Sequence, residues 1–156
     1  MKKRISLVLV LAFVLGLRLT GMMAVLLPGL VFAAESPAIE AFTFVQLCDT
    51  QLGKGGYEQS VNSFKQAVRL INAMKPDFAV ICGDLVDNFN DSSVADFKEI
   101  KAGFTVPCYC APGNHDVGST PTGESLNRYR QAIGDDYFSF EHKGYTFVIA
   151  NTMLWI

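Results

Sequence analysis

From residue 41 onward, short apolar runs alternate with segments whose apolar residues return every three or four positions. Phe42–Leu47 (Phe-Thr-Phe-Val-Gln-Leu) predicts a first strand, and Phe78–Cys82, apolar without interruption, predicts a strand covered on both faces. Between them, Val61, Phe64, Ala67, Val68, Leu70 and Ile71 recur at helical spacing over Tyr57–Met74, with Lys65 and Arg69 on other faces and Pro76 as the stop. A shorter helix is expected next, capped by Ser92 or Ser93 and striped by Val94, Phe97 and Ile100. Val106–Ala111 reads as a third strand and Glu124–Ile133 as a helix. Tyr137–Phe140 is expected to pair with Tyr145–Ala150 around Glu141-His142-Lys143-Gly144. Strand-helix alternation of this kind builds a parallel sheet with crossover helices, so an α/β domain is expected over residues 41–156.

The first part of the chain follows a different rule. Lys2-Lys3-Arg4 precedes the apolar run Ile5–Leu17, and a second apolar stretch ends in Val31-Phe32-Ala33-Ala34, where small residues suit a signal peptidase. Residues 1–33 are read as a secretory signal or, since Ile5–Ala34 is long enough to span a bilayer, a retained membrane anchor. Either reading places the domain in the periplasm or outside the cell, with contact to a membrane only through the leader. Residues 34–40 form a linker in which Glu35, Ser36 and Pro37 break the apolar pattern. Four of the 13 cations sit in the leader, which leaves nine against 15 acids, a net of −6 for the rest. That balance argues against a nucleic-acid surface, which needs a basic face, and suits a protein that holds cations.

Chemistry gathers where the three parallel strands end. The first runs into Cys48-Asp49-Thr50-Gln51, the second into Gly83-Asp84-Leu85-Val86-Asp87, and the third into Gly113-Asn114-His115-Asp116. Successive ends of parallel strands share one rim, where open α/β sheets bind their ligands. Each cluster brings an oxygen donor suited to a hard or borderline cation, and Gly83 and Gly113 allow the sharp turns beside them.

This ordered set resembles the calcineurin-like metallophosphoesterases, marked by Asp-x-His, Gly-Asp-x-x-Asp and Gly-Asn-His-Asp/Glu. The resemblance covers Phe42–Asp116, and the later hairpin fits the strands that follow in that fold. It implies the βαβαβ portion of a four-layer α/β/β/α sandwich, a centre of two divalent ions (Mn, Mg, Fe or Zn), and a phosphate ester as substrate. Carried over, Asp49 and Gln51 would belong to the first metal, Asp84 would bridge, and Asn114 would hold the second. His115 would protonate the leaving oxygen, oriented by Asp87. Two departures stand out. Gln51 replaces the usual His, and its harder amide oxygen should favour Mg²⁺ or Mn²⁺ over Zn²⁺. The chain holds only two histidines, His115 and His142, and no Gly-His-x-His follows, so the expectation is of a truncated, N-terminal part of the domain. A non-catalytic metal- or nucleotide-binding module is the alternative.

Other features weigh less. Gly53-Lys54-Gly55-Gly56 lacks the spacing of a phosphate-binding P-loop and is expected to be a mobile loop near the rim. Cys108 and Cys110 alternate along a strand and should share a face. Cys82 and Cys110 are the pair expected to oxidise in an exported protein. Asn90-Asp91-Ser92 has the form of a glycosylation sequon.

Overall fold

The computed structural model describes residues 40–155; the leader read at residues 1–33 and nearly all of the linker lie outside the described residues. The chain forms β1 (Phe44–Cys48), α1 (Tyr57–Met74), β2 (Phe78–Cys82), α2 (Asp91–Lys101), β3 (Cys108–Ala111), α3 (Asn114–Val117), α4 (Gly123–Ala132), β4 (Phe138–His142), β5 (Tyr145–Ile149) and a closing 3₁₀ turn at Thr152–Trp155. The first three strands make a parallel sheet in the order β1-β2-β3, and β4 and β5 make a separate antiparallel hairpin. Among the described residues no helix is long and apolar enough to cross a membrane.

Each face of the parallel sheet has its own core. Ile81 and Cys110 turn toward the helices, where Phe64, Val68, Phe97, Ile100 and the fully buried Tyr129 pack around them. Phe78, Val80 and Cys82 turn the other way onto Ile149 of the hairpin, with Tyr109, Phe138, Phe140 and Phe147 against them. The result is three layers, helices on a parallel sheet on a hairpin, the mixed α/β order expected for part of the four-layer sandwich. Phe78 is central to the second core: its ring meets Phe147 edge-on at 4.9 Å and Phe140 at 5.2 Å. Burying a side chain of this size contributes roughly 1.5–3 kcal/mol.

α1 and β2 have the predicted bounds, whereas several ends and caps differ. β1 begins at Phe44 rather than Phe42, because Phe44 is the first residue with a partner, Phe78, in the register. β3 likewise starts at Cys108, opposite Ala79, and not at Val106. α2 is capped by Asn90 rather than by Ser92 or Ser93: the Asn90 carboxamide accepts from Ser93 N at 3.0 Å and the Ser93 hydroxyl returns to Asn90 N. The asparagine of the sequon is thereby the helix cap. β4 runs on to His142, so the hairpin turn is only Lys143-Gly144, both at positive φ, as a two-residue turn requires. In α1, Leu70 is left exposed although it falls in the apolar recurrence.

The four cysteines are free. The expected Cys82–Cys110 pair does not form, since Cys82 belongs to the hairpin-side core and Cys110 to the helix-side core. Cys48 is the residue level with Cys82 across the sheet, and burial together with that neighbour pushes the Cys82 thiol up to about 11.

At the sheet's N-terminal end a polar clamp joins the two strand layers. The Asp77 carboxylate accepts from Thr43 N at 2.9 Å and lies 3.0 Å from Lys143 Nζ and 3.1 Å from His142 Nε2. His142 thus lies at the opposite end of the sheet from the strand-end rim. The Thr43 amide, then Lys143 and His142, lower the Asp77 carboxyl from 3.8 to about 2. A depressed acid stabilises the fold fully above its unfolded value and loses that contribution as pH falls toward the folded one. The stability gap between the wild type and Asp77→Asn should therefore be full at pH 5 and close between about pH 4 and 2, measured by urea denaturation. A gap independent of pH would remove the clamp's electrostatic part.

Candidate metal centre

The three strand-end loops are sewn together by backbone hydrogen bonds before any side chain is considered. Asp49 N donates to Gly83 O (3.2 Å), Gln51 N to Asp84 O (2.8 Å), and Gly83 N to Ala111 O (3.0 Å). Leu52, fully buried, continues the contact with Val86 as an isolated parallel bridge. Asp49, Gln51, Asp84 and Asn114 therefore stand on one rim, with His115 and Asp87 beside them.

Five non-glycine residues among those described have left-handed backbone: Asp49, Gln51, Asp84, Lys75 and Lys143. Lys75 caps the end of α1 and Lys143 forms the hairpin turn, both ordinary uses of that conformation. The other three are candidate ligands. Strained backbone persists where its surroundings over-determine it, and it clusters at functional sites.

Asp84 is held most tightly. Its Oδ1 accepts from His115 N at 3.0 Å. Gly113 presses so close that a Cβ on it would stand 2.2 Å from Asp84 Oδ1 and 2.3 Å from Asp84 N. Partial desolvation, and then the charge of Asp84, raise the Asp49 carboxyl, with His115 opposing. The two acids thus repel across the rim, and a cation between them would relieve that repulsion. Two carboxylates and the carboxamides of Gln51 and Asn114 form an all-oxygen set that fits a hard divalent ion. Among the described residues no three His, Cys, Asp or Glu side chains group closely enough to hold a metal by themselves.

His115 is oriented mainly by backbone. Its Nδ1 lies 2.7 Å from Asp87 O, and since a carbonyl can only accept, Nδ1 carries the hydrogen and Nε2 is left for other chemistry. The Asp87 carboxylate is farther away, 3.6 Å from Nδ1, and also accepts from Gln51 Nε2 at 3.3 Å.

One residue of the site was not singled out from sequence. Asp116 is buried, and its carboxylate accepts from Leu85 N at 3.0 Å, Val86 N at 3.3 Å and Gly113 N at 2.8 Å, tying the second loop to the third. Burial pushes this carboxyl up to about 6 against the pull of those amides. Its position three residues after Gly113, at the start of the short α3, is the local signal for such a role. In the Gly53–Gly56 loop, which lies near the rim as expected, Gly53 N donates to the Ser60 hydroxyl at 2.8 Å and Lys54 Nζ reaches Asp87 Oδ1 at 3.7 Å.

The family model described as calcineurin-like phosphoesterase matches residues 42–153. Among curated proteins, the chain is similar to the serine/threonine-protein phosphatase CPPED1 of Danio rerio, with 34% identity over 136 residues, covering 73% of this chain and 44% of that protein. The Homo sapiens protein of the same name is 34% identical over 117 residues (69% and 37%), and that of Mus musculus 35% over 133 residues (71% and 43%). The chain spans less than half the length of these relatives.

Proposed function

The chain belongs to the calcineurin-like phosphoesterase family, and we propose that its strand-end rim contributes to a metal-dependent centre that hydrolyses phosphate esters. Asp49, Gln51, Asp84 and Asn114 are the metal ligands in this reading, with Asp84 shared between two divalent ions. The observation that carries it is the left-handed backbone of Asp49, Gln51 and Asp84, which spends conformational energy on presenting three oxygen donors at one rim. Two divalent ions, when bound there, would supply the positive charge an anionic ester requires and acidify the attacking water.

The protein's own groups account for the remaining needs. An alkoxide leaves poorly unless it is protonated, and imidazole exchanges a proton near neutral pH. His115 fits that task because Nδ1 is committed to Asp87 O, so the proton to be given is the one on Nε2. The carboxylate of Asp87 faces the charge that the ring carries when protonated. The name of the relatives, serine/threonine-protein phosphatase, supports a phosphate ester as substrate. The leader reading of residues 1–33 adds the proposal that this chemistry takes place outside the cytoplasm.

The test is Mn²⁺ binding by calorimetry beside metal-dependent hydrolysis of an aryl phosphate, in the protein that carries this sequence. Asp84→Asn removes a charge shared by both ions and should weaken Mn²⁺ binding by roughly a hundredfold, the upper range for losing even a supporting contact at a metal, with activity falling alongside. Unchanged Mn²⁺ affinity would sink the ligand assignment. Mn²⁺ binding without turnover would favour a non-catalytic metal-binding module.

A further inference from the structure

Lys54 is the single cation among the described residues lining the cavity of about 390 Å³ that opens beside the rim, where it stands with Asp49 and Gln51 of the rim and Gln59, Ser60 and Ser63 of α1. Its backbone is held on the N-terminal side. Lys54 N donates to Gln51 O at 2.9 Å, Gly53 N to the Ser60 hydroxyl, and the preceding Leu52 exchanges backbone bonds with Leu85 and Asp87. Glycines at positive φ on either side, Gly53 and Gly55, let the chain carry a lysine out at this point. The side chain itself is 64% exposed, and its contact is a 3.7 Å ion pair with Asp87 Oδ1. An exposed pair at that separation contributes little, so the ammonium is free to exchange partners.

We propose that Lys54 is a specificity-determining residue that binds the phosphoryl oxygens of a phosphate monoester held at the rim. The inference rests on the functional reading above and adds the substrate class. A monoester presents a dianion and a diester a monoanion, and a nearby point charge discriminates between them by simple Coulomb attraction. Lysine is suited to this because its ammonium can follow a tetrahedral group without the fixed fork of arginine. When Lys54 moves to the phosphate it also leaves Asp87, whose carboxylate keeps His115, Gln51 and Asn88 as neighbours.

The experiment uses Lys54→Gln and Lys54→Arg in the protein that carries this sequence, loaded with Mg²⁺. Inorganic phosphate affinity is measured by calorimetry, and kcat/KM is measured on p-nitrophenyl phosphate and on bis(p-nitrophenyl) phosphate. Lys54→Gln should weaken phosphate binding and raise the monoester KM roughly tenfold, the scale of one lost charge-assisted hydrogen bond. It should leave Mg²⁺ affinity unchanged and move the diester value much less. Lys54→Arg should recover most of the loss, since charge is what matters. Equal losses on both esters, or phosphate affinity untouched in Lys54→Gln, would overturn the Lys54 proposal while the metal site stands. Failure of the wild type to bind Mg²⁺ would overturn the site reading and this inference with it.

Discussion

His115→Ala is expected to lower turnover on an alkyl phosphate by roughly a hundredfold or more, the scale of a lost general acid, while leaving metal binding in place. Metal is expected to remain because His115 meets Asp84 through its backbone amide, which alanine keeps: the contact to Asp84 Oδ1 at 3.0 Å is His115 N. Only the imidazole is lost. On a nitrophenyl ester the deficit should shrink, since nitrophenolate departs without a proton. Asp87→Asn should give a milder version of the same pattern, because the carbonyl 2.7 Å from Nδ1 survives the substitution. Metal analysis beside rates on the alkyl and aryl esters decides the matter. Metal loss in His115→Ala, or an equal deficit on both esters, removes the acid role.

Gly113→Ala costs about 2–3 kcal/mol of stability, within the range for forcing extra volume into a packed site, and lowers metal affinity with it. The backbone of Gly113 at φ −112° suits alanine, so dihedral strain is not the cause. The cause is contact: the new methyl would stand 2.2 Å from Asp84 Oδ1 and 2.3 Å from Asp84 N, and the latter is backbone that cannot swing aside. The second and third loops must separate, which stretches the bonds from His115 N to Asp84 and from Leu85 N to Asp116 together. Gly123→Ala is the matched control, with nothing within 4 Å of its Cβ and a place in the first turn of α4. Urea unfolding of the two variants should show a large loss for one and little change or a slight gain for the other. Similar stabilities would mean that the loops yield more easily than their packing suggests.

What was legible in the sequence divides by range. α1 and β2 declare themselves locally, one by a helical recurrence that Pro76 stops, the other by five consecutive apolar residues, and their bounds agree with the structure. β1 and β3 are shorter than their apolar runs suggest: Phe42 and Val106 look like strand residues, yet a strand begins only where a neighbour is level with it. The cap of α2 is only half legible: Ser93 belongs to the box, but as its third helical residue, with Asn90 at the start. The alternation of Cys108 and Cys110 placed both on one face, whereas the face taken by Cys82 depends on the register that sets it level with Ala111. At the site, the residue types and their order at strand ends were visible. The work of Asp116 was not, since its carboxylate bridges loops about 30 residues apart in the chain. Nor was the anchoring of the Lys54 loop, whose bonds run to Leu85 and Asp87.

The amides that converge on Asp116, together with the backbone bonds between the first and second loops, give the rim its form from polypeptide alone. On the proposed metal reading, a cation would find its receptor already formed there, and taking it up would be an exchange of ligands rather than a folding event. A receptor set in shape beforehand would choose among small hard ions by the size and coordination number that its donors accept.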